Sequence, residues 1–200
     1  MAAGTAGRVR NPHTLGETYC NLIVATTHAG DWERATEWCA FVDGFASSCR
    51  ILPLSGACRC GRVEIRLTRP PIATAACHCR GCQKMSASAF SLTAMVPADA
   101  LEVTRGETVI GGLHGEDLAH HFCAYCMTWM FTRPRGMDFV NVRPTMFEDT
   151  SWFRPFLETY ASTKLPFAET GAVRSFAEFP TMEEIPALIG EYQAWAAGRD

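Results

Sequence analysis

The sequence has no long apolar run and little surplus of positive charge, and these two absences exclude whole classes of protein. No apolar run approaches the roughly 18 residues that a membrane span needs, and the first twenty residues lack the apolar stretch of a secretory signal. Residues 51–147 carry 10 basic and 7 acidic side chains, and residues 148–200 carry 4 and 9. This is far from the charge of a nucleic-acid-binding domain. We therefore expect a cytoplasmic protein that contacts neither membranes nor nucleic acids.

Cysteine, by contrast, is abundant, with ten among 200 residues. A chain of this length can bury a sufficient core without disulfides, and a reducing compartment disfavours them. Three cysteines are scattered through the first fifty residues. The other seven fall in three clusters, which are Cys58-x-Cys60, Cys77-x-Cys79-x-x-Cys82 and Cys123-x-x-Cys126. Such clustering favours metal binding or redox chemistry over disulfides.

The clusters and the hydrophobic pattern together predict three segments. Residues 1–51 are predicted to be an irregular, partly mobile extension that holds a short helix at most. Residues 52–147 contain the clusters and alternate apolar and polar residues, as half-buried strands do, so we expect a mainly β domain. The predicted strands are Val63–Leu67, Phe90–Val96, Thr108–Ile110, Leu118–Phe122, Met127–Phe131 and Phe139–Val142.

The predicted third segment, residues 148–200, begins with an aromatic-rich stretch and ends in a helix. The stretch is interrupted by prolines, so we interpret it as a loop that covers apolar surface or closes over a site. Thr181 and Glu184 have capping-box spacing. The apolar residues that follow recur at helical intervals and predict one amphipathic helix packed on the domain. They are Ile185, Leu188, Ile189, Tyr192 and Trp195.

Seven clustered thiols divide naturally into four and three. A closed zinc site takes four ligands from two cysteine pairs, and the pairs here are Cys58 with Cys60 and Cys123 with Cys126. This division leaves Cys77, Cys79 and Cys82, and three protein ligands with an open fourth position are typical of catalytic zinc. Two alternatives stay open from spacing alone. The second site could be closed by His78 or by a distant ligand, and a four-thiolate site could hold iron.

An open site of three thiolates predicts chemistry on sulfur. Three sulfur anions leave a divalent ion with little Lewis acidity, so the site suits binding one more thiolate beside an electrophile. The other polar side chains near the clusters give weaker predictions. We expect His78 to bond the backbone of its turn, at most one of His120 and His121 to face a site, and Arg80 and Lys84 to be surface cations or contacts for a substrate carboxylate.

The clusters and their neighbours closely resemble the glutathione-dependent formaldehyde-activating enzymes, which share a domain with centromere protein V. The resemblance spans about residues 54–133 and rests on three runs with all seven family cysteines in order. These runs are Ser55-Gly56-Ala57-Cys58-Arg59-Cys60-Gly61, Cys77-His78-Cys79-Arg80-Gly81-Cys82-Gln83-Lys84 and Phe122-Cys123-x-x-Cys126.

The resemblance implies a fold, a metal content and a reaction. The fold is a β-tent of stacked short antiparallel sheets around zinc. Two zinc ions are implied, a structural one on Cys58, Cys60, Cys123 and Cys126 and a catalytic one on Cys77, Cys79 and Cys82. The implied activity is that of a carbon–sulfur lyase, which condenses formaldehyde with glutathione or reverses that step. An alternative is a zinc-stabilised binding module without catalysis.

Two residues depart from the family's pattern. Met127 stands where a glycine usually follows the last cysteine pair, and Ala87 stands where a glycine often follows Ser86. Because glycine alone takes positive φ freely, we expect altered turn geometry at both places. No ligand is lost by either change.

Overall fold

The computed structural model describes residues 52–113 and 115–198, within which the chain forms eleven strands and two α-helices. From Pro53 onward the described residues belong to one compact unit. The strands are β1 (Leu54–Ala57), β2 (Glu64–Leu67), β3 (Ala73–Cys77), β4 (Ser91–Pro97), β5 (Leu101–Arg105), β6 (Thr108–Ile110), β7 (Leu118–Cys123), β8 (Trp129–Pro134), β9 (Phe139–Val142), β10 (Leu157–Thr159) and β11 (Arg174–Ser175), and the helices are α1 (Arg80–Ser86) and α2 (Ile185–Ala197).

The strands form two sheets, and the predicted mainly β fold with a C-terminal helix is confirmed. The small sheet has the order β1-β2-β5, and the large sheet has the order β11-β10-β3-β4-β9-β8-β7-β6. Most pairings are antiparallel, as predicted. Two are parallel, since β10 pairs with both β3 and β11 in that sense, and the large sheet is therefore mixed.

The predicted alternation places the core on one face of each strand. In β2, Ile65 and Leu67 are buried while Arg66 between them is exposed. Alternate apolar residues of β4 and β9 are buried in the same way, because residues two apart share a face of a strand. The fully buried aliphatic side chains of these two strands are Ala94, Val96, Val140 and Val142.

The aromatic-rich stretch was predicted to be a loop, and this is wrong for part of it. Residues within it form β10 in the interior of the large sheet. Leu157–Thr159 pairs in parallel with residues 75–77 of β3. Periodicity could not reveal a strand of three residues. Phe156 and Leu157 then pack against Leu188 and Tyr192 of α2. The predicted helix is thus present, and it covers apolar side chains beside β3.

The sequence-based boundaries at residues 51 and 147 stay predictions. Residues 1–51, with their predicted short helix, and His114 lie outside the described residues. No helix in the described ranges has the length and apolar character needed to cross a membrane.

Candidate metal centres

Two short loops bring four of the clustered cysteines together. Cys58 follows β1 in a tight loop, where the Val63 amide donates to the Cys58 sulfur at 3.3 Å. Cys123 ends β7, and the Cys126 amide donates to its sulfur at 3.5 Å. The Sγ atoms of Cys58 and Cys60 lie 3.4 Å apart, and those of Cys60 and Cys123 lie 3.8 Å apart. All four sulfurs lie within 4.8 Å of one another and could hold one metal ion.

The other three clustered cysteines meet where β3 passes into α1. Cys77 is the last residue of β3, and Cys79 is the N-cap of α1, where its sulfur accepts the Cys82 amide at 3.3 Å. The three sulfurs lie within 4.8 Å of one another and could hold a second ion. All three residues are half-buried. The structure therefore brings together the same four and the same three residues that spacing separated.

Within each group, neighbouring side chains strongly shift the pKa values of the thiols. In the group of three, which we call the triad, the hydrogen bond from Cys82 lowers the pKa of Cys77 to about 5 against the opposing effect of burial, and the same bond raises the pKa of Cys82. In the group of four, burial acts to raise the pKa of Cys126, but hydrogen bonds from Thr128 outweigh it and lower that pKa to about 5. Thiols packed this closely favour partial deprotonation and a cation between them.

A side chain stands at each of the two turns where the resemblance leads us to expect glycine, and the expected change of turn geometry stays a prediction. Ala87 is the C-cap of α1 with φ of 49°, and Met127 has φ of 53°. Both residues adopt the left-handed conformation that glycine favours, which costs a residue with a Cβ about 1 kcal/mol. Each of these two positions therefore carries backbone strain that a glycine would not.

Restoring glycine should therefore stabilise the protein. We expect Ala87→Gly to raise the free energy of unfolding by about 1 kcal/mol, because Ala87 is exposed and its methyl group contributes little packing. Urea unfolding of the metal-loaded protein measures the change. Ala124→Gly, on an exposed residue whose φ is not positive, is the matched control and should lower the stability. A destabilising Ala87→Gly would refute the assignment of strain.

The side chain of His78 was predicted to bond the backbone of its own turn, and this is wrong. It pairs instead with a residue far along the chain. Its ring is fully buried, and Nε2 lies 3.2 Å from Oε2 of Glu158 in β10. A carboxylate oxygen only accepts, so the proton is on Nε2. The backbone carbonyl of His78 accepts from Gln83 Nε2 at 2.7 Å and from Thr163 Oγ1 at 2.9 Å. The segment after β10 thus holds the triad in place.

Glu158 anchors this support through several charged and polar donors. Burial acts to raise the pKa of its carboxyl, but hydrogen bonds outweigh burial and lower that pKa to about 2. The donors are Lys164 Nζ at 3.0 Å, Ser175 Oγ at 2.8 Å, Thr170 Oγ1 at 2.8 Å and His78 Nε2 at 3.2 Å. No sequence pattern pointed to Glu158, because its partners are scattered over about a hundred residues.

Removing this charge should destabilise the protein in a pH-dependent way. Glu158→Gln leaves buried donors unpaired, and we expect a loss of about 2–4 kcal/mol at pH 7. The pKa of Glu158 is lower in the folded protein than its unfolded-state value of about 4.3, so the ionised carboxylate stabilises the fold above about pH 4.3. This stabilisation is lost as the pH falls through about 2. The difference from wild type in urea unfolding should therefore shrink between those pH values. Glu178→Gln, whose partner Ser162 is exposed, should change little, and equal losses in both variants would contradict this role.

The remaining sequence-predicted residues are two histidines that do not join either cysteine group and two exposed cations. His120 is buried and bonds Thr132 at 2.9 Å, while His121 bonds Thr108 at 3.0 Å. Neither belongs to the groups that could hold a metal. Arg80 and Lys84 are exposed on α1, and Arg80 donates to Gln83 Oε1 at 2.9 Å.

Comparison with known proteins identifies the family. The sequence profile described as "Glutathione-dependent formaldehyde-activating enzyme" matches residues 53–163, which is more than half of the chain. A Penicillium rubens protein is 30% identical over 53% of this chain and 58% of its own length, and a Talaromyces marneffei protein is 25% identical over 71% and 83%. Both bear that enzyme's name provisionally. A solved structure from Rhodobacter sphaeroides has a TM-score of 0.40 and 23% identity, covering 48% of this chain and 88% of that one. The chain belongs to the family of glutathione-dependent formaldehyde-activating enzymes.

Proposed function

We propose that this protein is a cytoplasmic carbon–sulfur lyase that joins formaldehyde to glutathione and reverses the same step. The observation that carries the proposal is the triad, in which three half-buried sulfurs converge and no further His, Cys, Asp or Glu among the described residues joins them. Membership of the family supports the substrates. The provisional names of the two relatives refer to the same pair of compounds.

We further propose zinc as the metal at both groups. Four sulfurs at a zinc–sulfur distance of about 2.3 Å lie about 3.8 Å apart on a tetrahedron. The separations of 3.4 and 3.8 Å in the group of four are close to that value. An all-sulfur donor set also favours zinc among common divalent ions. Cys58, Cys60, Cys123 and Cys126 would hold the structural ion, and Cys77, Cys79 and Cys82 the catalytic one.

The chain's own residues have separate tasks in this reaction. Zinc on the triad, when bound, would keep the sulfur of glutathione deprotonated and next to the aldehyde. Cys79 contributes a sulfur and also caps α1, so the geometry of the helix start fixes the spacing of Cys79 and Cys82. The carbonyl of His78, held by Gln83 and Thr163, fixes the turn between Cys77 and Cys79. The exposed cations Arg80 and Lys84 suit the carboxylates of a tripeptide.

Exchange NMR tests the proposal. The rate of exchange between free formaldehyde and S-(hydroxymethyl)glutathione is measured with and without the zinc-loaded protein, and again after a chelator removes loosely held zinc. We expect the protein to accelerate exchange, chelation to abolish the acceleration, and added zinc to restore it. Equal rates with and without the loaded protein would contradict the proposal and favour a zinc-stabilised binding module.

A further inference from the structure

A buried arginine with unused hydrogen-bond donors lies on the side of the large sheet that holds Cys77 of the triad. Arg143 directly follows β9 and is only 7% exposed. Its Nη2 donates to the Asn141 carbonyl at 3.3 Å, whereas Nε and Nη1 have no partner among the described residues. Buried donors are nearly always paired, because leaving one unpaired costs its desolvation. Two unpaired nitrogens on one buried cation therefore indicate a place for a ligand.

Strand register puts this arginine on the triad's side of the sheet. Cys77 of β3 pairs with Ser91 of β4, and Ala94 of β4 pairs with Val142 of β9. Cross-strand partners share a face and side chains alternate, so Arg143, one residue beyond Val142, falls on the face that holds Cys77 and Ser91. Burial lowers the pKa of Arg143 to about 10, although electrostatic interaction with Cys82 and Cys77 acts to raise it. The guanidinium therefore remains positively charged at neutral pH.

The surrounding residues fix the guanidinium in one place. Its carbon atom lies 4.1 Å from the centroid of the Trp129 ring. The indole Nε1 of Trp129 donates to Thr132 Oγ1 at 3.1 Å. The His120 ring packs edge-on against the same indole, with 5.4 Å between the ring centroids. Donors that are held in place before a ligand arrives can stabilise developing charge without rearrangement.

The burial of Arg143 limits which part of the substrates it can contact. In glutathione both carboxylates lie several bonds from the sulfur, and we assign them to the exposed cations Arg80 and Lys84. Arg143 is buried, so only a small group at the sulfur end of the substrate can contact it. The oxygen of a one-carbon aldehyde is such a group, and it becomes negatively charged during the reaction.

We propose that Arg143 is a catalytic residue that donates hydrogen bonds to the aldehyde oxygen as this oxygen becomes an alkoxide. The assignment rests on the proposed function. An electron pair of the glutathione sulfur forms the carbon–sulfur bond, and the π pair of the carbonyl moves onto oxygen. The proton that the thiol released to water returns from water to this oxygen, which gives the hydroxymethyl product. No atom is oxidised or reduced by an outside reagent, and Arg143 keeps its protons.

Formate binding tests the oxyanion site without turnover. Formate is a one-carbon oxyanion, and its affinity for zinc-loaded protein is measured by calorimetry. We expect at least a tenfold weaker affinity in Arg143→Met and no change in Arg133→Met, whose arginine lies over Phe131 in β8 but is only partly buried. In wild-type protein, formate should shift the ¹⁵N and ¹H signals of Arg143 Nε–H. Unchanged signals and equal affinities would overturn the assignment, and the NMR measurement decides even if Arg143→Met does not fold.

Kinetics and a thiol-blocked ligand complete the test. We expect Arg143→Met to lower kcat roughly 100-fold, the cost typical of a lost oxyanion donor. The KM for glutathione should stay within about threefold, and Arg143→Lys should be intermediate. Binding of S-methylglutathione should not change. If Arg143→Met weakens S-methylglutathione and spares formate, Arg143 binds a carboxylate and the assignment is wrong. If wild-type protein does not accelerate exchange at all, the proposed function fails, and formate binding still decides on the site.

Discussion

Replacing Cys79 by serine should abolish the acceleration of formaldehyde–glutathione exchange while leaving the protein folded. The Cys79 sulfur accepts the Cys82 amide at the start of α1, and a serine hydroxyl accepts the same bond. Serine is also among the preferred N-cap residues. A hydroxyl is a far weaker ligand for zinc than a thiolate, so the metal at the triad is lost and the helix is kept.

Three measurements on Cys79→Ser separate these effects. The exchange rate by NMR should fall at least about 100-fold towards the uncatalysed rate. Zinc content should fall from two to about one ion per chain, and the midpoint of thermal unfolding should move by no more than about 3 °C, which corresponds to roughly 1 kcal/mol. Full activity in a variant that binds one zinc would show that the triad is not where the reaction occurs.

Replacing Cys123 by serine should, unlike Cys79→Ser, cause a large loss of stability. Cys123 is almost fully buried, and its group connects the loop after β1 with the turn after β7, more than sixty residues apart. In small zinc domains, metal binding supplies about 10–16 kcal/mol to folding. Losing even a third of that would lower the midpoint of unfolding by roughly 10 °C or more for a chain of this size.

Chelation provides the control for Cys123→Ser. Zinc-loaded wild type and zinc-loaded Cys123→Ser are compared in thermal unfolding, and both are compared again after complete removal of metal. If the stability comes from the ion, the two proteins should unfold at similar temperatures without it. Should the variant remain as stable as wild type when both are loaded, the group of four has no structural role.

The division of the cysteines could be predicted because ligand spacing is a local property of the sequence. Two sulfurs on one tight turn reach one ion whatever the rest of the fold does, so Cys58 with Cys60 and Cys123 with Cys126 stood out as pairs. The alternating strand around Ile65 and the apolar face of α2 were predictable for the same reason. Each signal lies within about fifteen residues.

The support of the triad could not be predicted because it depends on distant pairing. The strand β3 is Ala-Thr-Ala-Ala-Cys, whose small residues show no apolar alternation. It finds its parallel partner β10 about eighty residues later, and that pairing brings Glu158 to His78. In the sequence, Arg143 cannot be told from any other charged residue at the end of a strand. Only the packing of the neighbouring strands shows that it is buried.

Stepwise return of zinc to metal-free protein tests the central claim most directly. The claim is that one cysteine group stabilises the fold and the other supports the reaction, so exchange rate and thermal stability are followed together during the titration. The first equivalent of zinc should raise the midpoint of unfolding and leave the exchange rate unchanged, because four thiolates bind more tightly than three. The second equivalent should restore the rate with little further gain in stability. A rate that is complete after the first equivalent, or that never rises above the uncatalysed value, would contradict the account.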